Sequence, residues 1–189
     1  MASIASESQA QLLLTKQLLS VPKGHPRKVI RSSINTPDLV FEFDKNGRLI
    51  LMEQGDEKAR FNWTSDSTEV EWVLFAEQTE TARNIVSIDK LTETECEYEC
   101  DGVIFDFKLR KDGAVLSYSI SSSESKMEIT HHFRNDNDIY PFQIVQSDGV
   151  QAGVVLVNIN ETDQYGNATS VTQSINGQQM TFLTTIEYY

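Results

Sequence analysis

The sequence predicts an all-β protein, an antiparallel meander that forms either an open twisted sheet or a partial barrel. Apolar and polar residues alternate in many short runs from about residue 29 to residue 189. Turn-forming pairs separate these runs, and only the start of the chain has a helical pattern. The chain has 189 residues, of which 39% are hydrophobic and 23% are charged. We therefore expect one all-β domain spanning residues 1–189.

The one helix that the sequence predicts covers residues 6–19. Ser6 or Ser8 can cap its first turn, leucines recur along it, and Pro22 with Gly24 ends it. A short helical turn is also expected near residues 77–83.

The clearest strand is "VIFDFKLRKDG", which begins at Val103. Phe105 and Phe107 point to one face, whereas Asp106 and Lys108 point to the other. Antiparallel sheets with one wet face have this period of two. The final segment, "MTFLTTIEYY", alternates in the same way, so we expect an integral C-terminal strand with Phe182 and Ile186 in the core.

Hairpin signals recur along the chain, because Asp-Gly and Asn-Gly pairs suit turns that need a positive φ. Two of these turns share an Asp-x-x-Gly pattern, with Asp44 and Gly47 in the first and Asp163, Gly166 and Asn167 in the second. We predict that these five residues form turns. The punctuating pairs are Asn46-Gly47, Asp101-Gly102, Asp112-Gly113, Asp148-Gly149, Gly166-Asn167 and Asn176-Gly177.

The formal net charge is −12, which disfavours nucleic acid as a partner. No apolar run approaches the ~20 residues that a membrane-spanning helix needs. The first residues do not resemble a secretory signal. We expect a secreted or cell-envelope location if an export signal was removed, and a cytoplasmic one otherwise.

Catalytic and metal-ligating patterns are weak in this sequence. His131 and His132 are adjacent, so a strand points them to opposite faces, and His131 is expected in the core. The oxygen-rich loop at 135–138 lacks the EF-hand pattern, and Cys96 and Cys100 lack a second ligand pair. We therefore predict no enzyme, no metal and no cofactor.

Three aromatic residues are candidates for a binding surface: Tyr165, Trp63 and Tyr140. Tyr165 is the strongest, because it lies inside a predicted turn. Tyrosine and tryptophan combine a large apolar area with a polar tip, which suits sugar or peptide contacts.

Asp163, Gly166 and Asn167, with residues 186–189, carry a resemblance to the tyrosine-aspartate (YD/RHS-like) repeat of bacterial cell-surface proteins. Phe43, Asp44 and Gly47 form a weaker copy. The resemblance implies a structural or binding module of a bacterial cell envelope or secreted system, with a protein or glycan partner.

A second set of residues is similar to bacterial lipocalin-like domains. It includes the "DKNG" turn, the two tryptophans Trp63 and Trp72, and the segment with Ile88, Leu91 and Thr92. The N-terminal Gly-x-Trp signature of lipocalins is absent. This resemblance implies the alternative function, a carrier of a small apolar ligand.

Overall fold

The computed structural model describes residues 24–34, 36–64, 69–91, 94–100, 102–111 and 114–189. Within these ranges there are fourteen β-strands and no helix, and the predicted helix at 6–19 lies outside them. The strands are β1 (Pro26–Ser33), β2 (Thr36–Phe43), β3 (Leu49–Gln54), β4 (Glu57–Trp63), β5 (Glu69–Ala76), β6 (Thr79–Leu91), β7 (Glu95–Cys100), β8 (Val103–Leu109), β9 (Val115–Ser121), β10 (Lys126–His132), β11 (Gln143–Ser147), β12 (Ala152–Thr162), β13 (Ala168–Ile175) and β14 (Gln178–Tyr188).

The strands pair in chain order, each with the strand before it and the strand after it. β1 also pairs with β14, antiparallel, with Val29 opposite Ile186. The strand order therefore closes as in a closed barrel. The predicted all-β antiparallel meander is confirmed, and the pairing decides that its order is closed.

The described residues form two compact units. One contains residues 88–156, and the other contains residues 24–87 together with 157–189. β6 and β12 each contribute residues to both units. The single domain at 1–189 stays a prediction.

In the unit of residues 24–87 and 157–189, one face of the strands is buried. Val29 is 0% exposed and lies opposite Phe41, which is 1% exposed. Phe182 and Ile186 of β14 lie on this core face, as predicted. They are half-buried there rather than fully buried. The buried apolar residues of this unit are Val29, Phe41, Phe43, Leu49, Ala59, Phe61, Val70, Trp72, Val73, Val86 and Ala168. Val73 lies opposite Arg60 and Arg83, on the other face of its strand from Trp72.

In the unit of residues 88–156, aromatic side chains fill the core. The rings of Tyr98 and Phe105 stack with centroids 4.7 Å apart, and those of Phe107 and Tyr118 stack at 5.4 Å. The other face of β8 carries Asp106 and Lys108, as its alternation predicts. Aromatic pairs of this kind add about 0.5–1.5 kcal/mol beyond their buried area.

The helical turn expected near residues 77–83 is wrong. β5 and β6 are joined there by the two-residue hairpin turn Glu77-Gln78. Both residues are left-handed, with φ of 48° and 67°. A type I′ turn needs this conformation but usually contains glycine or asparagine, so the sequence carried no turn signal at this place.

Candidate functional site

Asp163 organises the turn between β12 and β13. Its Oδ1 accepts hydrogen bonds from the backbone N–H groups of Tyr165 (2.8 Å) and Asn167 (2.9 Å). The backbone N–H of Gly166 donates to the carbonyl of Asp163 at 3.0 Å, and Gly166 has a φ of 82°. The turn is an Asx-type turn, in which the carboxylate replaces backbone acceptors.

Asp44 makes the same turn between β2 and β3. Its Oδ1 accepts from the backbone N–H groups of Asn46 (2.8 Å) and Arg48 (2.9 Å), and Gly47 donates to its carbonyl at 2.9 Å. Gly47 has a φ of 75°. In both turns the side chain of the fifth residue also donates to the aspartate carboxylate. In the first turn, Arg48 Nε donates to Asp44 Oδ2 at 2.7 Å. The repeated sequence pattern is thus a repeated turn geometry.

The Asp163 turn also holds the end of the chain. The hydroxyl of Tyr188 donates to Asp163 Oδ2, and Asn167 Nδ2 donates to the Tyr188 hydroxyl at 2.8 Å. Burial disfavours the Asp163 carboxylate, but the hydrogen bonds from Tyr188, Asn167 and Tyr165 outweigh burial and lower the pKa of Asp163. Burial, together with the neighbouring carboxylate, raises the pKa of Tyr188 to about 12. The phenol therefore stays protonated as the donor.

Tyr165 lies against Tyr188, with ring centroids 4.6 Å apart, and is 41% exposed. A Cβ on Gly24 would approach ring atoms of both tyrosines at 3.0–3.1 Å, and the φ of 97° at Gly24 would strain a residue other than glycine. The two tyrosine rings therefore pack Gly24, which precedes β1, against the Asp163 turn and the end of β14. One part of the Tyr165 ring still faces solvent.

The other two aromatic candidates are less accessible. Trp63 is half-buried, and its indole Nε1 donates to the carbonyl of Leu49 at 2.7 Å. Tyr140 is half-buried in the loop between β10 and β11. Trp63 and Tyr165 belong to one unit and Tyr140 belongs to the other.

His131 is a buried residue of the core, 6% exposed, in the unit of residues 88–156. Its Nδ1 lies 3.0 Å from the carbonyl of Val115, which identifies Nδ1 as the protonated donor. Burial, reinforced by the nearby His132 and opposed by the bond to Val115, lowers the pKa of His131 to about 4. The imidazole is thus neutral at pH 7, and its position favours a structural role.

The oxygen-rich loop at 135–138 is closed by its own hydrogen bonds. The backbone N–H of Asn135 donates to Asp138 Oδ2 at 3.0 Å, and Arg110 donates to the Asp138 carbonyl at 2.7 Å. Among the described residues, no group of three or more histidine, cysteine, aspartate or glutamate side chains is arranged to hold a metal ion.

Sequence reasoning missed an uncharged outward surface on β12, β13 and β14, which we call the amide–hydroxyl face. Asn160 Nδ2 donates to Thr172 Oγ1 (2.9 Å) and Ser170 Oγ (3.2 Å), and Asn158 Nδ2 donates to Asn160 Oδ1 (2.7 Å). Thr172 lies opposite Thr181, with hydroxyl oxygens 3.0 Å apart. The residues of this face are Asn158, Asn160, Thr172, Ser174, Gln179, Thr181, Leu183 and Thr185. Ser170 lies on the same side of β13 but is buried, 7% exposed.

Charged pairs cover the outward faces of β2 to β6 in the same unit. Lys58 pairs with Glu53 at 2.5 Å, and Arg83 pairs with Glu71 at 2.7 Å. A cleft of about 930 Å³ lies at the β3–β4 and β5–β6 turns. It is lined by Glu53, Gly55, Asp56, Glu57, Lys58, Arg60, Phe75, Glu77 and Gln78. The contrast in charge could have been noticed in the sequence, where Asn, Ser and Thr alternate along "NIN" and "SVTQS".

No helix long and apolar enough to span a membrane occurs among the described residues.

No protein-family model matches the chain, and no curated protein is similar in sequence. Among solved structures, the chain is similar to a porin-like protein from Bacteroides vulgatus ATCC 8482. The TM-score is 0.51 at 12% identity, and the match covers 88% of this chain and 99% of that chain. At this identity the likeness shows the fold alone, an all-β barrel class. That class fits the lipocalin-like resemblance, whereas the YD/RHS-like repeat stays a prediction.

Proposed function

We propose that this chain is a non-catalytic binding module of a bacterial cell envelope or secreted system, and that a protein or glycan partner docks on its amide–hydroxyl face. The observation that carries the proposal is the break in surface chemistry. Asn160, Thr172 and Thr181 form an uncharged, hydrogen-bonded row in a chain whose net charge is −12.

Covering an uncharged face with a partner costs less free energy than covering a charged one. Removing water from a charged side chain costs several kcal/mol unless the partner replaces it well, and the cores of protein interfaces are depleted in charged residues. Amides and hydroxyls offer donors and acceptors to a protein backbone or to sugar hydroxyls. Leu183, which is 57% exposed, adds an apolar contact in the same face.

A non-catalytic role is supported by how the perturbed titratable groups are used. The carboxylates of Asp44 and Asp163 accept hydrogen bonds from backbone N–H groups of their own turns. His131 is enclosed in a core. Perturbed groups at an active site would instead face a cleft that a substrate can enter.

The similarity in fold to a porin-like protein supports an envelope or secreted location by fold analogy alone. The ion pairs of Lys58 and Arg83 on outward faces favour contact with water, because charges facing lipid are costly. We therefore propose a module that works in an aqueous phase.

Photo-cross-linking tests the proposed docking face. A photoreactive phenylalanine analogue is placed at Thr181, and the matched control carries it at Thr81, an exposed threonine of β6. Each purified variant is irradiated with a bacterial envelope extract, and adducts are tested for sensitivity to protease and to periodate. We expect a discrete adduct at Thr181 and none at Thr81. No adduct at Thr181, or equal adducts at both positions, contradicts the proposal.

The second candidate function, a carrier of a small apolar ligand, is favoured by incomplete burial of apolar residues on one core face. The core face of the unit of residues 24–87 and 157–189 is fully buried at Val29 and Phe41, but only half-buried at Leu39, Val171 and Phe182. A fluorescent hydrophobic dye that binds with a saturable, lipid-displaceable signal is the expected result for a carrier. A signal that lipids do not displace contradicts it.

A further inference from the structure

Arg31 is a cation on the core face of β1. It lies opposite Leu39 of β2 and opposite Thr184 of β14, two residues from the fully buried Val29. Because side chains alternate along a strand, Arg31 points to the same side as Val29. Its side chain is half-buried there.

The guanidinium of Arg31 stacks on an aromatic ring and has no anion beside it. Its carbon Cζ lies 4.0 Å from the centroid of the Phe182 ring. Within the described part of the chain, no ion-pair partner and no hydrogen-bond acceptor is found for this guanidinium. Burial alone lowers the pKa of Arg31, as expected for a cation without a carboxylate neighbour.

Three other arginines of the same unit are in ion pairs. Arg27 meets Glu187 at 2.5 Å, Arg48 meets Asp44 at 2.7 Å, and Arg83 meets Glu71 at 2.7 Å. These three pairs lie on outward faces or in turns. Arg60 has no ion pair among the described residues either, but it is exposed, whereas Arg31 is half-buried, and a buried charge needs a partner most.

The surroundings of Arg31 combine two chemistries. Phe182 and Val171 lie opposite each other and, with Leu39, offer half-buried apolar surface on the core face. Arg31 itself offers five N–H donors in a planar fork that matches a carboxylate. A ligand with an anionic head and an apolar tail would satisfy both.

We propose that Arg31 is the head-group site for an anionic amphiphile, a carboxylate with an apolar chain, bound on the core face beside Phe182. The inference rests on the carrier function, the second candidate above, and does not require the amide–hydroxyl face. The ligand's carboxylate accepts two hydrogen bonds from the Arg31 guanidinium, and the ligand's apolar chain covers Leu39 and Val171.

The test compares matched ligands and matched variants by isothermal titration calorimetry. The probes are dodecanoate, dodecanol and acetate, each below its aggregation limit. Arg31→Met keeps the length and the contact with Phe182 but removes the charge. Arg60→Met is the control, because Arg60 also stacks on a ring, that of Phe75 at 5.3 Å, but is exposed.

The unaltered protein should bind dodecanoate about tenfold or more tighter than dodecanol, since charge-assisted hydrogen bonds distinguish the two heads. Acetate should bind at least about tenfold more weakly than dodecanoate, because it lacks the chain. Arg31→Met should abolish the preference for dodecanoate, and Arg60→Met should keep it. Arg31→Lys keeps the charge without the fork and should retain part of the preference.

A preference for dodecanoate that survives in Arg31→Met overturns the head-group site. Equal binding of dodecanoate and dodecanol by the unaltered protein also overturns it, while lipid-displaceable dye binding would leave the carrier function standing. If neither probe binds and lipids displace no dye, the head-group site and the carrier function both fail. Thermal unfolding of Arg31→Met without ligand should give a midpoint no lower than that of the unaltered protein, and a lower midpoint shows a purely structural arginine.

Discussion

The hydroxyl of Tyr188 donates a hydrogen bond to the carboxylate of Asp163, across 25 residues of chain. This contact fastens the last strand to the turn between β12 and β13, and Asn167 bridges the same two groups. The turn, the strand end and the start of β1 thereby stabilise one another. The tyrosine pair is fixed by the same contacts, so part of the Tyr165 ring is presented to solvent in a defined orientation.

Removing the Tyr188 hydroxyl should weaken the fold. We expect Tyr188→Phe to lower the free energy of unfolding by about 1–2 kcal/mol, because a hydrogen bond to a charged group is lost and Asp163 is left with fewer donors. Urea denaturation at pH 7 measures this change. Tyr165→Phe is the control, since the Tyr165 hydroxyl makes no hydrogen bond within the described residues, and it should leave the midpoint unchanged.

Gly166 tests the conformational requirement of the turn. No atom outside the adjacent chain lies within 4 Å of a Cβ at Gly166, so a side chain meets no obstacle, but its φ is 82°. Gly166→Val should therefore destabilise the protein by about 1–2 kcal/mol through backbone strain alone. Gly153→Ala is the matched control: it also has open space, and its φ is not left-handed. Equal midpoints for the two variants would contradict this explanation.

His131 should make stability depend on pH. Its pKa is lowered from 6.5 to about 4 in the folded state, so the unfolded chain binds more protons between these values. The stabilisation is complete above pH 6.5 and is lost as the pH falls toward 4. We expect a loss of about 2 kcal/mol between pH 8 and pH 5 that His131→Gln lacks and that the exposed-site variant His132→Gln retains. Urea titrations at both pH values, compared between variants, measure it.

The C-terminal strand should be essential. β14 pairs with both β1 and β13, so deleting residues 180–189 removes two sets of sheet hydrogen bonds together with Phe182 and Ile186. We expect an insoluble or molten product, detected by loss of cooperative melting. Met180→Ser is the control: Met180 is 52% exposed and lies beyond Phe182, where the described pairing of β14 with β1 ends, so this substitution should be tolerated. A truncated protein that melts as cooperatively as the full chain would show the strand to be dispensable.

The sequence by itself determined those features that depend on near neighbours. Alternation with a period of two identified β8 and its faces at Phe105 and Asp106. The Asp-x-x-Gly pattern predicted the two turns, because the carboxylate and the glycine act within five residues. The turn at Glu77-Gln78 carried no such signal, and the pairing of β5 with β6 imposes its left-handed conformation.

The tertiary structure decided which strands are neighbours. The first described strand, β1, pairs with the last, β14, and this pairing closes the strand order. The alternation of residues within one strand contains no information about which strand is its neighbour. Only that pairing places Arg31 against Phe182. The amide–hydroxyl face likewise exists because three strands align Asn160, Thr172 and Thr181 in register. A binding surface assembled across strands is a property of register, which long-range hydrogen bonding and burial determine together.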